Sequence, residues 1–270
     1  MKLKLSPRLG RLAVALGAAG LLGVGSFSSV YAADPAATNS TATTAVHRFC
    51  VPEWAAVKAH PGSVDALRAV GDCEINRRFV TLDGLTYLVN HSDVLTAEHK
   101  TDLLTGNSIN PASFVTEKSG LTALKATIDA DTTAAALRAD IGKIAPDYRV
   151  YLLVVPKTHI TAAADGTAKA SARFVPLASE LQNLINQAKA GGKDVTAAQA
   201  ALDDMNAKVG QANGLIAPVV GSIMALSPAD WNSGVAGPAL KSARMTIHSA
   251  RALLRTARQD AHKVIVLLGS

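Results

Sequence analysis

The chain has 270 residues, with 27 lysines and arginines against 21 aspartates and glutamates, and aromatic residues make up only 4% of it. Four of the basic residues lie in the first 32 positions, so the formal net charge falls from +6 for the whole chain to +2 without them. Because the chain after residue 32 is nearly neutral, its overall charge does not support a nucleic-acid partner.

The first 32 residues have the composition of a secretory signal peptide. The basic residues at its start are Lys2, Lys4, Arg8 and Arg11. An uncharged apolar run over residues 12–24 follows, and the small residues of Val30-Tyr31-Ala32 predict cleavage after Ala32. A membrane-spanning helix needs about 20 apolar residues, so an uncleaved anchor is the less favoured alternative.

Residues 33–45, ADPAATNSTATTA, are small and polar without an apolar period, which predicts a disordered leader. No later apolar stretch is long enough to span a bilayer, and the C-terminus has no cell-wall sorting motif. We therefore expect a secreted protein, extracellular or cell-wall associated, with no membrane span after cleavage of the signal.

Two cysteines, Cys50 and Cys73, follow the predicted signal. An even number of cysteines in an exported chain indicates a disulfide, which would join the N-terminal segment to the first long helix. Two free thiols are the alternative. No second pair of ligands stands at a zinc-like spacing, so we expect no metal site.

Apolar residues three or four positions apart predict helices almost throughout the rest of the chain. The first four predicted helices run from an N-cap residue to an approximate end: Ser63 to Asn90, Thr96 to Gly106, Asn110 to Ile128, and Thr133 to Ala145. Pro111 would occupy the first position of the third helix, and Pro146 would stop the fourth. The run YRVYLLVV at 148–155 has strand-like composition. Because it has no second strand to pair with, we assign it to a buried helix that kinks or ends near Pro156.

The second half of the chain predicts a helical hairpin followed by one long helix. A helix from about Ser171 to Ala190 turns at Gly191-Gly192, and Asp194 caps the returning helix. Breaks at Ser227-Pro228 and Gly237-Pro238 precede a last helix from about Ala239 to Leu268. The predicted fold is all-α, an elongated antiparallel bundle or coiled-coil hairpin with a C-terminal heptad helix. It forms a single domain over 46–270, with possible sub-bundles at about 46–165 and 166–270.

The last helix contains a repeated pattern of small, basic and apolar residues. Its apolar seam alternates steps of three and four, as in coiled coils, and consists of Leu240, Ala243, Ile247, Ala250, Leu254, Ala257, Ala261, Val264 and Leu268. One residue past each of the first seven seam positions stand Lys241, Arg244, His248, Arg251, Arg255, Arg258 and His262. Residues 241–263 thus hold six lysines and arginines against one acid, whereas residues 33–240 carry a net charge of −3.

This basic line has two interpretations. As part of the packing, it flanks the seam and pairs with acids of neighbouring helices, for which Asp203 and Asp204 are the nearest candidates. As a binding surface, it contacts an anionic polymer of the cell envelope. The residues that would form this surface are Lys241, Arg244, Arg251, Arg255 and Arg258. Specific nucleic-acid binding is disfavoured, because no recognition motif or aromatic platform accompanies the charges.

Three stretches carry a resemblance to a known group of proteins: SGLTALKATIDADT (119–132), DYRVYLLVVPKTHI (147–160), and AGGKDVTAAQAALDDMNAK with ARQDAHKVI in the second half. The chain resembles a group of secreted, Ala-rich helical proteins from high-GC Gram-positive bacteria, over most of residues 63–268. It departs from that group around Gly106–Lys118. The resemblance implies export and a helical fold, and it implies no activity, cofactor or catalytic residue.

The common catalytic and nucleotide-binding motifs are absent from the sequence: it has no P-loop, no G-x-G-x-x-G, no G-x-S-x-G and no H-E-x-x-H. We therefore expect a non-catalytic protein, without a cofactor, that acts by interaction with an envelope polymer or a protein partner. The alternative is a self-associating coiled-coil scaffold. A small-ligand or metal carrier ranks third, because the helices lack the Glu-x-x-His pairs of di-iron bundles.

Overall fold

The computed structural model describes residues 50–106 and 109–269. Within those ranges every regular element is a helix, so the predicted all-α class is confirmed. The predicted signal peptide and leader, residues 1–45, lie outside the described residues. None of the helices in the described ranges has both the length and the apolar character that a membrane crossing requires.

The helices are, in chain order, α1 (Val51–Ala59), α2 (Val64–His91), α3 (Ala97–Leu104), α4 (Phe114–Ala130), α5 (Ala134–Ile141), α6 (Ile144–Tyr148), a π-helix (Val150–Val154), α7 (Val155–Ala172), α8 (Phe174–Ala190), α9 (Thr196–Ile216), α10 (Val219–Met224), α11 (Pro228–Asn232) and α12 (Ala236–Gly269).

The described chain divides into two compact units. The disulfide unit contains residues 50–162 and 221–243, and the hairpin unit contains residues 163–220 and 244–269. The possible sub-bundles, 46–165 and 166–270, placed residues 221–243 in the second half, whereas the structure places them in the disulfide unit. That residues 46–270 fold as a single domain stays a prediction.

Helix α2 is the central element of the disulfide unit, and α1, α4 and α5 pack against it. The predicted N-cap is confirmed, since the Ser63 hydroxyl accepts a hydrogen bond from the backbone N–H of Ala66 at 3.2 Å. Gly71 faces α4 and α5, where a Cβ would lie 3.1 Å from a side-chain carbon of Ile128. The missing side chain thus allows the three helices to approach closely.

Helix α4 begins three residues later than predicted. Its N-cap is Ser113, whose hydroxyl accepts from the N–H of Thr116, and Pro111 lies in the turn that precedes it. Asn110 is unable to cap the helix because its side chain is used otherwise: its Oδ1 accepts from the N–H of Ala112 and from Lys157 Nζ.

Pro146, which was predicted to stop a helix, and Pro156, near which a helix was predicted to kink or end, both lie inside helices. Pro146 is the third residue of α6, where the backbone N–H that it lacks would have no partner in the helix. Pro156 is the second residue of α7, and the π-helix directly precedes it. The wide π turn lies where the proline ring would otherwise clash with a carbonyl of the preceding turn. The buried helical character predicted for 148–155 is confirmed at Val150, Leu153 and Val154.

The hairpin unit is built around α8 and α9, which pack against each other and are joined by residues 191–195. The side-chain amides of Gln182 and Gln199 each donate to the other, at 2.9 and 3.1 Å, and fix the register of the two helices. In the connection, Asp194 Oδ1 accepts from the N–H of Thr196, the first residue of α9. The N-cap position itself is Val195, one residue after the predicted Asp194. Coiled-coil packing of this hairpin stays a prediction.

Helix α12 begins at Ala236, earlier than predicted, so Gly237 and Pro238 form part of its first turn and do not interrupt it. A proline is tolerated there because the first backbone N–H groups of a helix have no acceptor within it. The helix runs on to Gly269 and contributes residues to both units.

Candidate functional site

The apolar seam of α12 is buried along its whole length, as its spacing predicts. All nine seam residues are at most 9% exposed, and Ala250, Ala257, Ala261 and Val264 are completely covered. Residues one position further along the helix therefore lie at the edge of the packed face, because each residue turns the helix by about 100°. This arrangement places the basic line where some side chains reach solvent and others reach a neighbouring helix.

Three residues of the basic line have exposed side chains that make no hydrogen bond or ion pair within the described ranges: Lys241, Arg244 and Arg255. Arg244 and Arg255 belong to the hairpin unit, and Lys241 lies in the part of α12 that belongs to the disulfide unit. Eleven residues separate the two arginines, which is about 16 Å along a helix axis. His248, between them, is also exposed.

Arg251 differs from these residues because it is bound within the protein. Its Nε donates to Thr167 Oγ1 at 3.0 Å and its Nη2 donates to the carbonyl oxygen of Ala163 at 3.2 Å, both on α7. Burial, together with the nearby positive charge of Arg255, lowers the pKa of Arg251. Guanidinium groups nevertheless remain charged in proteins, so Arg251 attaches α12 to α7 through charge-assisted hydrogen bonds. Arg258 is half-buried and also engaged.

The predicted partners of the basic line, Asp203 and Asp204, bind other residues. Asp203 Oδ1 accepts from Gln199 Nε2, and Asp204 lies 4.0 Å from Lys208 on the same helix. Lys208 also pairs with Asp260 of α12 at 2.7 Å, and this hydrogen bond raises the pKa of Lys208. The single acid of the basic stretch is thus neutralised by a lysine of α9, which leaves the charge of Arg244 and Arg255 uncompensated.

The cysteine prediction is confirmed. Cys50 and Cys73 form a disulfide with their Cα atoms 5.6 Å apart, and it joins the start of α1 to α2. A carboxylate oxygen of Glu53 lies within 4.8 Å of both sulfur atoms, and this is the group of potential metal ligands found in the described ranges. Both sulfur atoms are committed to the disulfide, so the cluster offers a metal no thiolate in this state.

The disulfide unit also contains a buried polar cluster that was not predicted from the sequence. Lys157 is 1% exposed, and its Nζ donates to Asn110 Oδ1, the Met224 carbonyl and the Leu226 carbonyl at 2.7, 2.8 and 2.9 Å. Glu117 is 3% exposed, and its Oε2 has no hydrogen-bond partner among the residues that the structure describes. The available signal was a single lysine directly after the apolar run that ends at Val155.

Burial changes the proton affinity of both groups in this cluster. It raises the pKa of Glu117 to about 8, because a buried carboxylate loses its hydration, and the positive charge of Lys157 only partly opposes this effect. It lowers the pKa of Lys157 to about 8 for the same reason, with the negative charges of Glu117 and Asp230 opposing it. At neutral pH the cluster therefore holds a neutral carboxyl group and an ammonium group.

The exposed arginines of α12 and the buried cluster around Lys157 are two arrangements of charged side chains, within the described residues, that bear on function. The first faces solvent on one helix, and the second is covered by the disulfide unit. Only the first offers side chains that a macromolecule could contact directly. No family model, no curated protein sequence and no solved structure matches the chain.

Proposed function

We propose that this is an exported, non-catalytic helical protein that binds an anionic polymer of the cell envelope through exposed cations of α12. The observation that supports the proposal best is that Arg244 and Arg255 are exposed and have no hydrogen-bond or ion-pair partner within the described residues. Export rests on the composition of the first 32 residues and on a disulfide typical of oxidising compartments.

Exposed like charges on a rigid helix favour a polyanionic partner for electrostatic reasons. Each guanidinium group presents a planar fork of N–H donors that matches carboxylate and phosphate oxygens. Two such groups about 16 Å apart on one helix contact separate segments of a linear polymer, so their contributions combine. The contacts face water, and dissolved salt therefore weakens them.

A polymer fits this surface better than a lipid bilayer does. A helix that binds in the plane of a membrane buries an apolar face among the lipid chains. The apolar seam of α12 is already covered by the protein, so it is unable to enter a membrane without unfolding. What α12 presents to solvent is mainly polar and charged, with Met245 and Val266 as its large apolar residues exposed by more than half.

Co-sedimentation of the protein with purified cell envelope, at low and at high salt, tests the proposal. We expect binding at low salt that is lost at high salt, and we expect the double variant Arg244→Gln, Arg255→Gln to lose most of it. The matched control is Lys189→Gln, Lys263→Gln, which removes two exposed charges of the hairpin unit outside the basic line. Equal binding of the two variants would contradict the proposal.

The alternative, a scaffold that self-associates through α12, requires the seam to be free to pair with a second chain. The seam is buried within the chain, which places this alternative second. Sedimentation velocity of the protein at micromolar concentration distinguishes the two. A dimer that persists in the Arg244→Gln, Arg255→Gln variant would favour the scaffold.

A further inference from the structure

The cluster around Lys157 connects three segments of the disulfide unit. Lys157 lies at the start of α7, Asn110 in the turn before α4, and Met224 and Leu226 at the end of α10 and just beyond it. A lysine ammonium group has three N–H donors, and each has a separate acceptor here. None of the three acceptors carries a full charge, so neutral hydrogen bonds, together with the nearby negative charge of Asp230, compensate the ammonium for its loss of hydration.

Glu117 lies in the first turns of α4 and is covered by protein. No ion pair joins it to Lys157 in the described structure, although the two charges act on each other. A carboxylate at this place would have one oxygen without any donor, which is costly in a buried position. The neutral, protonated carboxyl group avoids that cost.

We propose that Glu117, Lys157 and Asn110 form a pH-sensitive clasp, which makes the disulfide unit least stable at mildly alkaline pH and more stable in acid. This inference is independent of the proposed binding of polyanions, which concerns side chains on the surface of α12. It concerns how firmly the turn at Asn110, the start of α7 and the end of α10 are held together.

The contribution of Glu117 decreases as pH rises. In the folded protein its pKa is about 8, against the ordinary value of 4.5. Between these two values the folded chain keeps a proton that the unfolded chain has released, so the linked stability is fully present below about 4.5 and is lost as pH rises through about 8.

The contribution of Lys157 has the opposite sign. Its pKa is about 8 in the folded protein, against the ordinary 10.5, so between these values the unfolded chain holds the extra proton and stability rises with pH. The clasp is therefore loosest near pH 8, where the two contributions meet.

The other charged groups near the clasp do not reverse this dependence. Hydrogen bonds from Ser227 lower the pKa of Asp230, so that carboxylate stays negative throughout the range. The pKa of the nearby Tyr148 is raised, mainly by burial, so its hydroxyl stays neutral. Lys118 of α4 pairs with Asp83 of α2, and both side chains are partly exposed to solvent.

Urea unfolding of the purified full chain at a series of pH values between 5 and 10 tests the clasp. Both tryptophans, Trp54 and Trp231, lie in the disulfide unit, so tryptophan fluorescence reports on the unfolding of that unit. The decisive variant is Glu117→Gln, which has the shape and neutrality of the protonated acid. Glu180→Gln, an exposed residue of α8, is the control.

We expect the folded-to-unfolded ratio of the wild-type protein, relative to that of Glu117→Gln, to fall by up to tenfold per pH unit as pH approaches 8. The Glu180→Gln protein should follow the wild type. A ratio between wild type and Glu117→Gln that is constant over pH would overturn the proposal. A Glu117→Gln protein that fails to fold at pH 6 would also overturn it, because the clasp holds the neutral acid at that pH.

Discussion

Arg251 and Arg255 lie four residues apart in one basic line, yet their guanidinium groups have different surroundings. Arg251 donates to a hydroxyl and a carbonyl of α7, whereas Arg255 is exposed and has no partner within the described residues. The same residue type thus contributes to packing at one position and to the surface charge at the other. Both interpretations of the basic line, packing and surface, have residues that support them.

Replacement of Arg251 by Gln should destabilise the hairpin unit by about 1–2 kcal/mol, because it removes charge-assisted hydrogen bonds to acceptors on α7 that are at least partly buried. Arg244→Gln should change the free energy of unfolding by less than about 0.5 kcal/mol, since its side chain is exposed. Urea unfolding followed by circular dichroism at 222 nm measures both, as the hairpin unit has no tryptophan. Similar destabilisation by the two variants would contradict the assignment of Arg251 to packing.

At the residue scale, the sequence predicts which positions flank the seam but not what each side chain contacts. The steps of three and four place Arg244, Arg251 and Arg255 at the same edge of α12. The contact of Arg251 depends on the position of α7, which no local pattern encodes. Lys157 was missed for the same reason, because two of its acceptors are backbone carbonyls 67 and 69 residues away.

At the scale of the element, helix starts were predictable where a side chain had one available role. Ser63, Thr96 and Thr133 cap the helices that follow them, as expected. Asn110 was predicted to cap α4 and does not, because the buried Lys157 uses its oxygen. Short-range capping rules therefore fail where a tertiary contact competes for the same atom.

Helix contacts at glycine provide a test of the packing of α4. A Cβ on Gly120 would lie 2.5 Å from a ring carbon of Tyr148, so Gly120→Ala should displace the ring and destabilise the disulfide unit by about 1–3 kcal/mol. Gly84 on α2 has no atom within 4 Å of the same position. Gly84→Ala should therefore stabilise the protein by up to about 1 kcal/mol, because alanine favours helices. Urea unfolding followed by tryptophan fluorescence compares the two, and destabilisation by both would contradict the predicted contact.

At the scale of the whole molecule, the sequence predicts an all-α fold but not how the chain divides. Residues 221–243 contain the predicted breaks at Ser227-Pro228 and Gly237-Pro238, which is typical of a connection, yet they complete the disulfide unit. Their place is set by contacts distant in sequence, including those of Lys157 and the hydrogen bonds between Arg149 and Asn232. Composition and periodicity carry no information about such pairs.

The disulfide acts on the whole molecule through its unfolded state. Cys50 and Cys73 are separated by 23 residues, so removal of the bond in a Cys50→Ser, Cys73→Ser variant should cost about 3 kcal/mol in the chain-entropy model. Urea unfolding with tryptophan fluorescence measures the loss, and thiol titration of the denatured wild-type protein should find no free thiol. An unchanged unfolding midpoint would contradict the prediction.

The discontinuity of the disulfide unit also has a consequence for biosynthesis. As the chain leaves the ribosome, α2 and both cysteines emerge early, but two acceptors of the Lys157 ammonium follow 67 and 69 residues behind it. Until Met224 and Leu226 have been synthesised, burial of the Lys157 ammonium would leave it without two of its three hydrogen-bond acceptors. We therefore expect this side chain to stay hydrated up to that point. The unit that begins first is thus completed only after most of the hairpin unit has been synthesised, and Lys157 has its full set of acceptors only once Leu226 has been added.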